Sequence, residues 1–370
     1  MMTALIALTM AGTAAAPRPI ALHPQNPHYL IWRGKPTLLI SSAEHYGAVL
    51  NADFNYLRYL DTLKADGMNQ TRLFSGTYRE VPGSFGIQNN TLAPAEGRYL
   101  CPWLRVGEKW DLTRWDEAYF ARLKDYCVQA GRRGVVVEVV LFCPFYEEVL
   151  WAANPMNARN NVNGIGAVRR EEVYTLKHRP LVEVHEAVTR RIVRELNALD
   201  NVYYEICNEP YFGGVTLEWQ ARIAQVIADT EAGLPNRHLI AQNIANGSAK
   251  VENPNPLVSI LNFHYAAPPE AVAANYGLNR VIAFDETGFK QQGDLPYRTE
   301  GWDFILAGGG LYSNLDYSFT VSHPDGTAPV SAPTPGGGGP RLRSQLRLLR
   351  EFMNRFDFVK MRPANDVIKG

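Results

Sequence analysis

Two apolar stretches end abruptly in acidic groups. "NVYYEICNEPYF" (201–212) runs through residues suited to a buried strand and stops on Asn208, Glu209 and Pro210, and "VIAFDETGF" (281–289) places Asp285 and Glu286 at the end of a second such run. Carboxylic acids set just after apolar strands are positioned for proton transfer or nucleophilic attack if the fold brings them together. A pair of them can cleave a glycosidic bond, one protonating the leaving oxygen while the other acts at the anomeric carbon.

Whether the two meet depends on the elements that carry them. Apolar β-type runs recur at "TLLISSA" (37–43), "MNQTRLF" (68–74), "GVVVEVVLF" (134–142), "VYYEIC" (202–207), "HLIAQN" (238–243), "VSILNF" (258–263), "VIAFDE" (281–286) and "GLYSNL" (310–315). Amphipathic segments separate them, among them 115–134, with Ala118, Phe120, Leu123 and Val128 on one face and a glycine stop, and the equally periodic 179–199. Strand followed by helix, about eight times, predicts parallel strands joined by crossover helices. An open sheet favours a glycine-rich phosphate turn after its first strand, and none follows Ala43. The expected fold is therefore a (β/α)8 TIM barrel, one catalytic domain over 17–370, preceded by a short N-terminal β-hairpin turning at Arg33 to Pro36 and plugging the barrel floor. The last helix is expected over 341–358. In such a barrel the C-terminal ends of all strands face one mouth. Runs four and seven lie on roughly opposite sides of it, so Glu209 and Glu286 approach each other across the opening.

With the elements in that order, "ICNEP", "FDETGF", "TRLF" (71–74) and "NFHY" (262–265) resemble the retaining β-glycosidases of clan A, and most closely the glycoside hydrolase family 5 type. The likeness covers almost the whole chain in element order. It implies that Glu209 is the general acid/base, Glu286 the nucleophile, and Asn208 the amide that holds the sugar's 2-hydroxyl. Arg72 matches the arginine beside the nucleophile, which keeps it ionised. His264 and Tyr265 match a pair in which the tyrosine hydrogen-bonds the nucleophile. Glu209 then needs a proton at working pH, which partial burial and repulsion from Glu286 would supply. Where the family often has a tryptophan after the eighth strand, this chain has "LYSNLDYSF".

Sugar rings also pack their C–H faces on aromatic side chains. His45 and Tyr46 after the first run are candidate sugar contacts, with Phe145, Tyr146 and Trp151 after the third, Tyr211 and Phe212 after the fourth, and Tyr312 on the eighth. Asn314 and Asp316 are weaker polar candidates. Glu138, inside the third run, reads as a core or floor carboxylate. Because neighbouring strand residues point to opposite faces, one of Asp285 and Glu286 should point away from the lumen. Two long insertions, 76–110 and 317–340, follow strands on the mouth side; the first should wall the cleft and the second be partly mobile.

Composition narrows the alternatives. The 370 residues carry 37 basic and 37 acidic side chains, a net charge of zero without like-charge blocks, which argues against nucleic acid or an anionic membrane as partner. The expected partner is a carbohydrate substrate, with no cofactor and no metal. Cys101, Cys127, Cys143 and Cys207 lack metal or disulfide spacing and read as buried free thiols. The opening "MMTALIALTMAGTAAAP" resembles the later part of a secretory signal without its basic start, so residues 1–16 are a candidate signal segment and the expected location is extracellular or periplasmic. The terminal "VIKG" looks like the start of a strand, as if a further β domain followed residue 365. Two rival readings are a carbohydrate-binding barrel without catalysis and a metal-dependent barrel hydrolase. The latter favours an HxH pair after the first strand, where only His45 stands; His178 and His185 share a helix face and read as solvent-exposed.

Overall fold

The computed structural model describes residues 18–364 apart from 291, 332 and 333, together with 367. The signal-like segment 1–16 and residues 368–370 of the terminal "VIKG" lie outside the described residues. Eight parallel strands form the barrel: β1 (Leu39–Ala43), β2 (Gln70–Phe74), β3 (Val136–Val140), β4 (Val202–Glu205), β5 (Ile240–Asn246), β6 (Ile260–His264), β7 (Val281–Glu286) and β8 (Leu311–Leu315). Each strand overlaps the run that predicted it. From β2 to β8 each strand pairs with the next in sequence, and β8 returns to β1 from Leu311 opposite Leu39 to Leu315 opposite Ala43, leaving β1 and β2 as the two edges of the sheet.

The seam between β1 and β2 is closed by a side chain. Asn69 Oδ1 accepts from Ile40 N–H at 2.9 Å and its Nδ2 donates to Leu38 C=O at 2.8 Å, while Ser41 Oγ donates to Gln70 C=O at 2.6 Å. Asn69 thus serves as a surrogate peptide group, satisfying backbone that would otherwise be buried unpaired.

Among the described residues a short helix, Glu148–Ala152, follows β3, and seven longer ones cover the outside: α1 (Tyr56–Ala65), α2 (Glu117–Arg132), α3 (Arg179–Leu196), α4 (Leu217–Ala232), α5 (Glu270–Asn275), α6 (Leu295–Leu306) and α7 (Pro340–Met353). Asp116 caps α2 through Ala118 N–H and Tyr119 N–H, and Gly134, at φ 77° where other residues are disfavoured, ends the connection to β3. The buried face of α2 is Tyr119, Phe120, Leu123, Tyr126, Cys127 and Ala130, whereas Ala118 is exposed and Val128 only half-buried. Between β5 and β6 the described residues form no helix, so the strand–helix alternation is interrupted once. Pro254 and Pro256 account for this, since each lacks an N–H and disfavours helical geometry in the residue before it. The last helix stops at Met353, short of 358.

Before the barrel, Leu30–Trp32 and Lys35–Thr37 form the expected hairpin, joined to a third strand, Ala21–Leu22. Its turn is tighter than predicted: Arg33 and Gly34 have φ of 49° and 76°, the two positive values of a two-residue hairpin turn, and Pro36 lies within the edge strand. Ile20, Leu30 and Trp32 pack onto Leu39, Val136, Tyr203, Ala241, Ile260, Val281 and Leu311, sealing the floor. Asp200 anchors this plug, accepting from Trp32 Nε1 at 3.2 Å and from both Nε and Nη2 of Arg33 at 2.6 and 2.9 Å.

The seam can be tested apart from the mouth. Asn69→Leu keeps the volume but strands Ile40 N–H and Leu38 C=O, and should cost about 2–4 kcal/mol, since each buried unpaired group costs about 1–3 kcal/mol. Urea denaturation, with hydrogen exchange followed over residues 38–43, measures this. A loss below about 1 kcal/mol with protection unchanged would show that the seam does not depend on Asn69.

Candidate active site

Local backbone devices aim the side chains at the mouth. Past the end of β4, Asn208 N–H bonds Phe142 C=O at 2.9 Å, and Glu209 takes φ 36°, a left-handed conformation that non-glycine residues adopt at a cost. Tyr265, just after β6, does the same at φ 50°, with its N–H on Glu286 C=O at 3.0 Å. On β7 the register with β6 shifts between Phe263 and His264, so that Phe284 pairs with Phe263 and Glu286 with His264. This bulge overturns the expectation that one of Asp285 and Glu286 points away from the lumen. Both are buried in the barrel interior and both contact Arg72, because the extra residue resets the alternation of the strand.

Arg72, fully buried on β2, is the centre of the constellation. Its Nη1 donates to Glu286 Oε2 at 3.0 Å, and its Nη2 donates to Glu205 Oε1 at 2.6 Å and to Asn208 Oδ1 at 3.0 Å. Nε lies 3.2 Å from Asp285 and 3.4 Å from Glu138, and the guanidinium sits 4.6 Å from the Tyr46 ring centre. Beneath it, Asn262 Nδ2 donates to Glu138 at 2.7 Å, to Asp285 at 2.6 Å and also to Glu205. Glu138 is thus an interior carboxylate, held additionally by Gln70 and Tyr203.

Above this layer, Glu209 accepts from Tyr146 OH at 2.8 Å, from Tyr211 OH at 3.2 Å and from His264 Nδ1 at 3.1 Å. Glu286 accepts from Tyr265 OH at 3.3 Å. His264 Nε2 faces Asp285 at 3.4 Å. One ligand-capable atom from each of Glu209, His264 and Glu286 lies within 4.8 Å of the other two, so the carboxylates are neighbours across the mouth.

The electrostatics of the site run against the expected assignment of the proton. Burial raises Glu286, the charges of Glu209 and Asp285 add to that, and His264 and Arg72 only partly offset it. For Glu209 burial acts in the same direction, but the His264 hydrogen bond and charge, with the tyrosine hydroxyls, hold its carboxyl below the usual range. Burial would depress His264, yet the Glu286 and Asp285 carboxylates and the bonds to Asp285 and Glu209 keep its imidazolium well above the ordinary histidine range. Glu205 is pushed up to about 7 by burial, while Arg72 and His264 hold Asp285 low against it. The physical reason for the reversal is position: His264 is 3.1 Å from Glu209 and 3.6 Å from Glu286.

A cavity of about 280 Å³ opens above the carboxylates. His45, Tyr46, Tyr146, Asn208, Tyr265 and Phe212 line it, and Tyr211, though not part of the lining, reaches Glu209. Other sequence candidates stand elsewhere. Trp151 is buried against Phe145, with its indole N–H on Val168 C=O, and Phe145 stacks on Tyr174. Tyr312 packs on Phe284 and donates to Tyr297 C=O. Asn314 donates to the Leu315 C=O, and it is Leu315 that lines the cavity. Asp316 is structural, accepting from Ser42, Gly339 N–H and Arg343 at 2.9, 3.0 and 2.7 Å. On β8, residues with the parity of Tyr312 face the helices, which the sequence pattern alone did not reveal.

Glu80, Phe85, Phe289 and Asn246 also line the cavity and were not singled out from sequence. Glu205 and Asn262 were missed too, though a charged or amide residue inside an apolar strand run is a readable signal. The insertion 76–110 supplies Glu80, Phe85, Ile87 and Leu92 to the cavity wall and contains a hairpin, Trp103–Val106 with Lys109–Trp115. In the second insertion, residues 332 and 333 lie outside the described residues, and Tyr317 and Phe319 are buried. All four cysteines are buried and free.

Among the described residues, two groups have the donors for a divalent ion, Glu209–His264–Glu286 and Glu138–Glu205–Asp285. In the second, the cation's place is taken by Arg72 and the Asn262 amide. His185, expected at the surface, is fully buried, accepts from Trp219 Nε1 at 3.2 Å and is pushed down to about 3 by burial; His178 precedes α3 and is half-buried. No helix among the described residues is long and apolar enough to cross a membrane.

No protein-family model matches the sequence, and no curated protein matches it. Solved structures resemble it over most of its length. A Bacteroides vulgatus protein provisionally named a glycoside hydrolase superposes over 94% of the chain with a TM-score of 0.65 and 15% identity, and the chain spans 63% of that protein. A glycoside hydrolase family 5 protein of the same organism gives 0.61 at 14% identity, covering 95% of this chain and 75% of that one. The endo-1,4-β-mannanase of Rhizomucor miehei gives 0.58 at 12% identity, covering 91% and 100%. What these neighbours share with the chain is its architecture: it has the (β/α)8 barrel fold of the family 5 glycoside hydrolases.

Proposed function

We propose that the protein is a retaining β-glycoside hydrolase that cleaves an oligo- or polysaccharide by double displacement, with Glu286 as nucleophile and Glu209 as general acid/base. The observation that carries the reading is that one carboxylate oxygen of Glu209 and one of Glu286 lie within 4.8 Å of each other at the C-terminal mouth of the barrel, which favours a close pair. Retaining pairs stand about 5–5.5 Å apart, whereas inverting pairs leave about 6.5–9.5 Å for a water.

In the first step a Glu286 oxygen forms a bond to the anomeric carbon as the bond to the leaving oxygen breaks, and the Glu209 proton passes to that oxygen. In the second, Glu209 takes a proton from water, whose oxygen attacks the same carbon and releases Glu286. Arg72 and Tyr265 orient Glu286 and favour its ionised form. Tyr146, bonded to both Glu209 and Asn208, holds the acid. Glu209 is 8% exposed, and a sugar ring that covers this remaining surface raises its affinity for the proton. The signal-like segment 1–16 supports an extracellular or periplasmic setting.

A second reading reverses the two roles, favoured by the lowered Glu209 and raised Glu286 carboxyls. Azide separates them. Glu286→Ala should lose turnover of all substrates and, with azide, yield the α-glycosyl azide by direct attack. Glu209→Ala should keep the first step for a dinitrophenyl β-glycoside and, with azide, yield the β-glycosyl azide. The opposite products would reverse the roles, and full activity of both variants would remove the reaction from this site. A binding barrel without catalysis is excluded by turnover of any aryl β-glycoside, and a metal-dependent hydrolase by activity that survives a chelator.

The pH profile gives a further check. With Glu209 low and Glu286 high in the free enzyme, the productive form, Glu209 protonated and Glu286 ionised, is the minor singly protonated form, so kcat/KM should be bell-shaped with an alkaline limb set by Glu286, above the ordinary glutamate value of 4.5, and an acid limb set by Glu209. In Glu209→Gln, assayed with a dinitrophenyl leaving group, no acid is needed, so the alkaline limb should vanish and activity should rise with pH as Glu286 ionises. An alkaline limb that persists would show that it does not belong to this pair.

A further inference from the structure

The insertion after β2 brings a carboxylic acid into the cavity that the reaction does not use. Glu80 is 3% exposed and lines the cavity together with His45. Its backbone N–H bonds Leu92 C=O at 2.8 Å, pinning the loop. Asn90, between them in space, has a fixed orientation: the Leu92 N–H, which can only donate, reaches its Oδ1 at 2.9 Å. His45 Nδ1 lies 3.1 Å from the same oxygen and therefore carries the hydrogen, while Asn90 Nδ2 donates to Glu80 Oε2. Burial pushes His45 down to about 4, so the ring is neutral and its Nε2 is an acceptor. That atom has no hydrogen-bond partner among the described residues. Glu80 Oε1 has only a long contact, 3.4 Å, from Tyr78 OH.

The wall therefore offers two acceptors and calls for donors. Charge narrows the ligand further. The residues lining the cavity include the acids Glu80, Glu209 and Glu286 and no lysine or arginine. Arg72, below them, is already engaged by Glu286, Glu205, Asn208 and Asp285. Above about pH 7, where Glu80 is ionised, a negatively charged ring would meet carboxylates while the two nearby cations, Arg72 and the His264 imidazolium, are already held by Glu209, Glu286 and Asp285, whereas hydroxyl groups match the wall. Glu80 lies close enough to Glu286 for that charge to add to its upward shift, to about 7, after burial. In the double-displacement reading, on which this inference rests, that is the side of the glycone.

We propose that Glu80 and His45, aligned by Asn90, determine specificity by accepting hydroxyl protons from an uncharged glycone, and that the site excludes hexuronic acids. Binding can be measured without turnover, by calorimetry with phenyl 1-thio-β-D-glycosides of glucose, mannose, galactose, xylose and glucuronic acid. The best neutral ligand should bind at least about tenfold more tightly than the glucuronide, and Glu80→Gln and His45→Gln should each weaken it about 10- to 100-fold, the scale of one lost hydrogen bond to a buried polar group. A deoxy ligand lacking the matching hydroxyl should lose a similar factor on the wild type and little more on the variant. If one variant does not fold, as judged by circular dichroism, the other decides. The proposal is overturned if the glucuronide binds as tightly as the neutral sugars, if the folded variants keep wild-type affinity, or if no glycoside binds. Aryl β-glycoside turnover, read in parallel, keeps the two ideas apart: the binding pattern without turnover discards the hydrolase reading alone, and turnover without the pattern discards this one alone.

Discussion

A guanidinium with no exposure to solvent sets the terms for everything around it. Arg72 enters the lumen from β2 and meets carboxylates from β3, β4 and β7 and the Asn208 amide beyond β4. Removing such a charge from water costs several kcal/mol and is offset only when its partners are close and well aligned, while loss of one partner leaves an uncompensated charge worth about 3–5 kcal/mol. The middle of this barrel is therefore a layer of ions where a purely structural barrel would carry branched apolar side chains. That choice is weak evidence for stability and strong evidence for positioning. The fork of the guanidinium fixes Glu286 and Asn208 relative to each other, and its charge decides which interior acids stay ionised.

The apolar plug below and the strained backbone above complete the arrangement. Ile20, Leu30 and Trp32 close the floor, so the charged layer is shielded from water on one side and meets the cavity on the other. At the rim, Glu209 and Tyr265 sit at positive φ, and β7 carries a bulge. These are local distortions at strand ends, where the ladder of backbone hydrogen bonds is finishing and a deviation disrupts little of it. Through them, residues from three strands point at one small volume.

His264 makes the site more than two acids and an arginine. It contacts Glu209, Glu286 and Asp285 together, so its protonation and theirs are one coupled process. An assignment of acid and nucleophile made from chain position treats each glutamate separately. In the folded site the imidazolium lies nearer Glu209 and lowers it, while Glu286 bears more of the burial and the repulsion.

Eight strands, their parallel order, the floor hairpin and the residues converging at the mouth were legible in the sequence, because each depends on local periodicity or on position relative to a strand end. The same reasoning misplaced Trp151, Tyr312, Asn314 and Asp316: an aromatic or polar residue near a strand end can face the helices as readily as the cavity, and parity at the end of β8 was not readable from an all-apolar run. His185 failed for a similar reason, since its partner Trp219 is 34 residues away on another helix. What the sequence by itself determined was the inventory, the strand order and which strand ends bring acidic side chains to the mouth. Tertiary structure alone decided that Asp285 and Glu286 both face inward, that Glu80 joins the cavity from a distant insertion, and how the protons are shared. Those outcomes turn on a one-residue register shift and on charge separations of a few ångströms, which no pattern along the chain encodes.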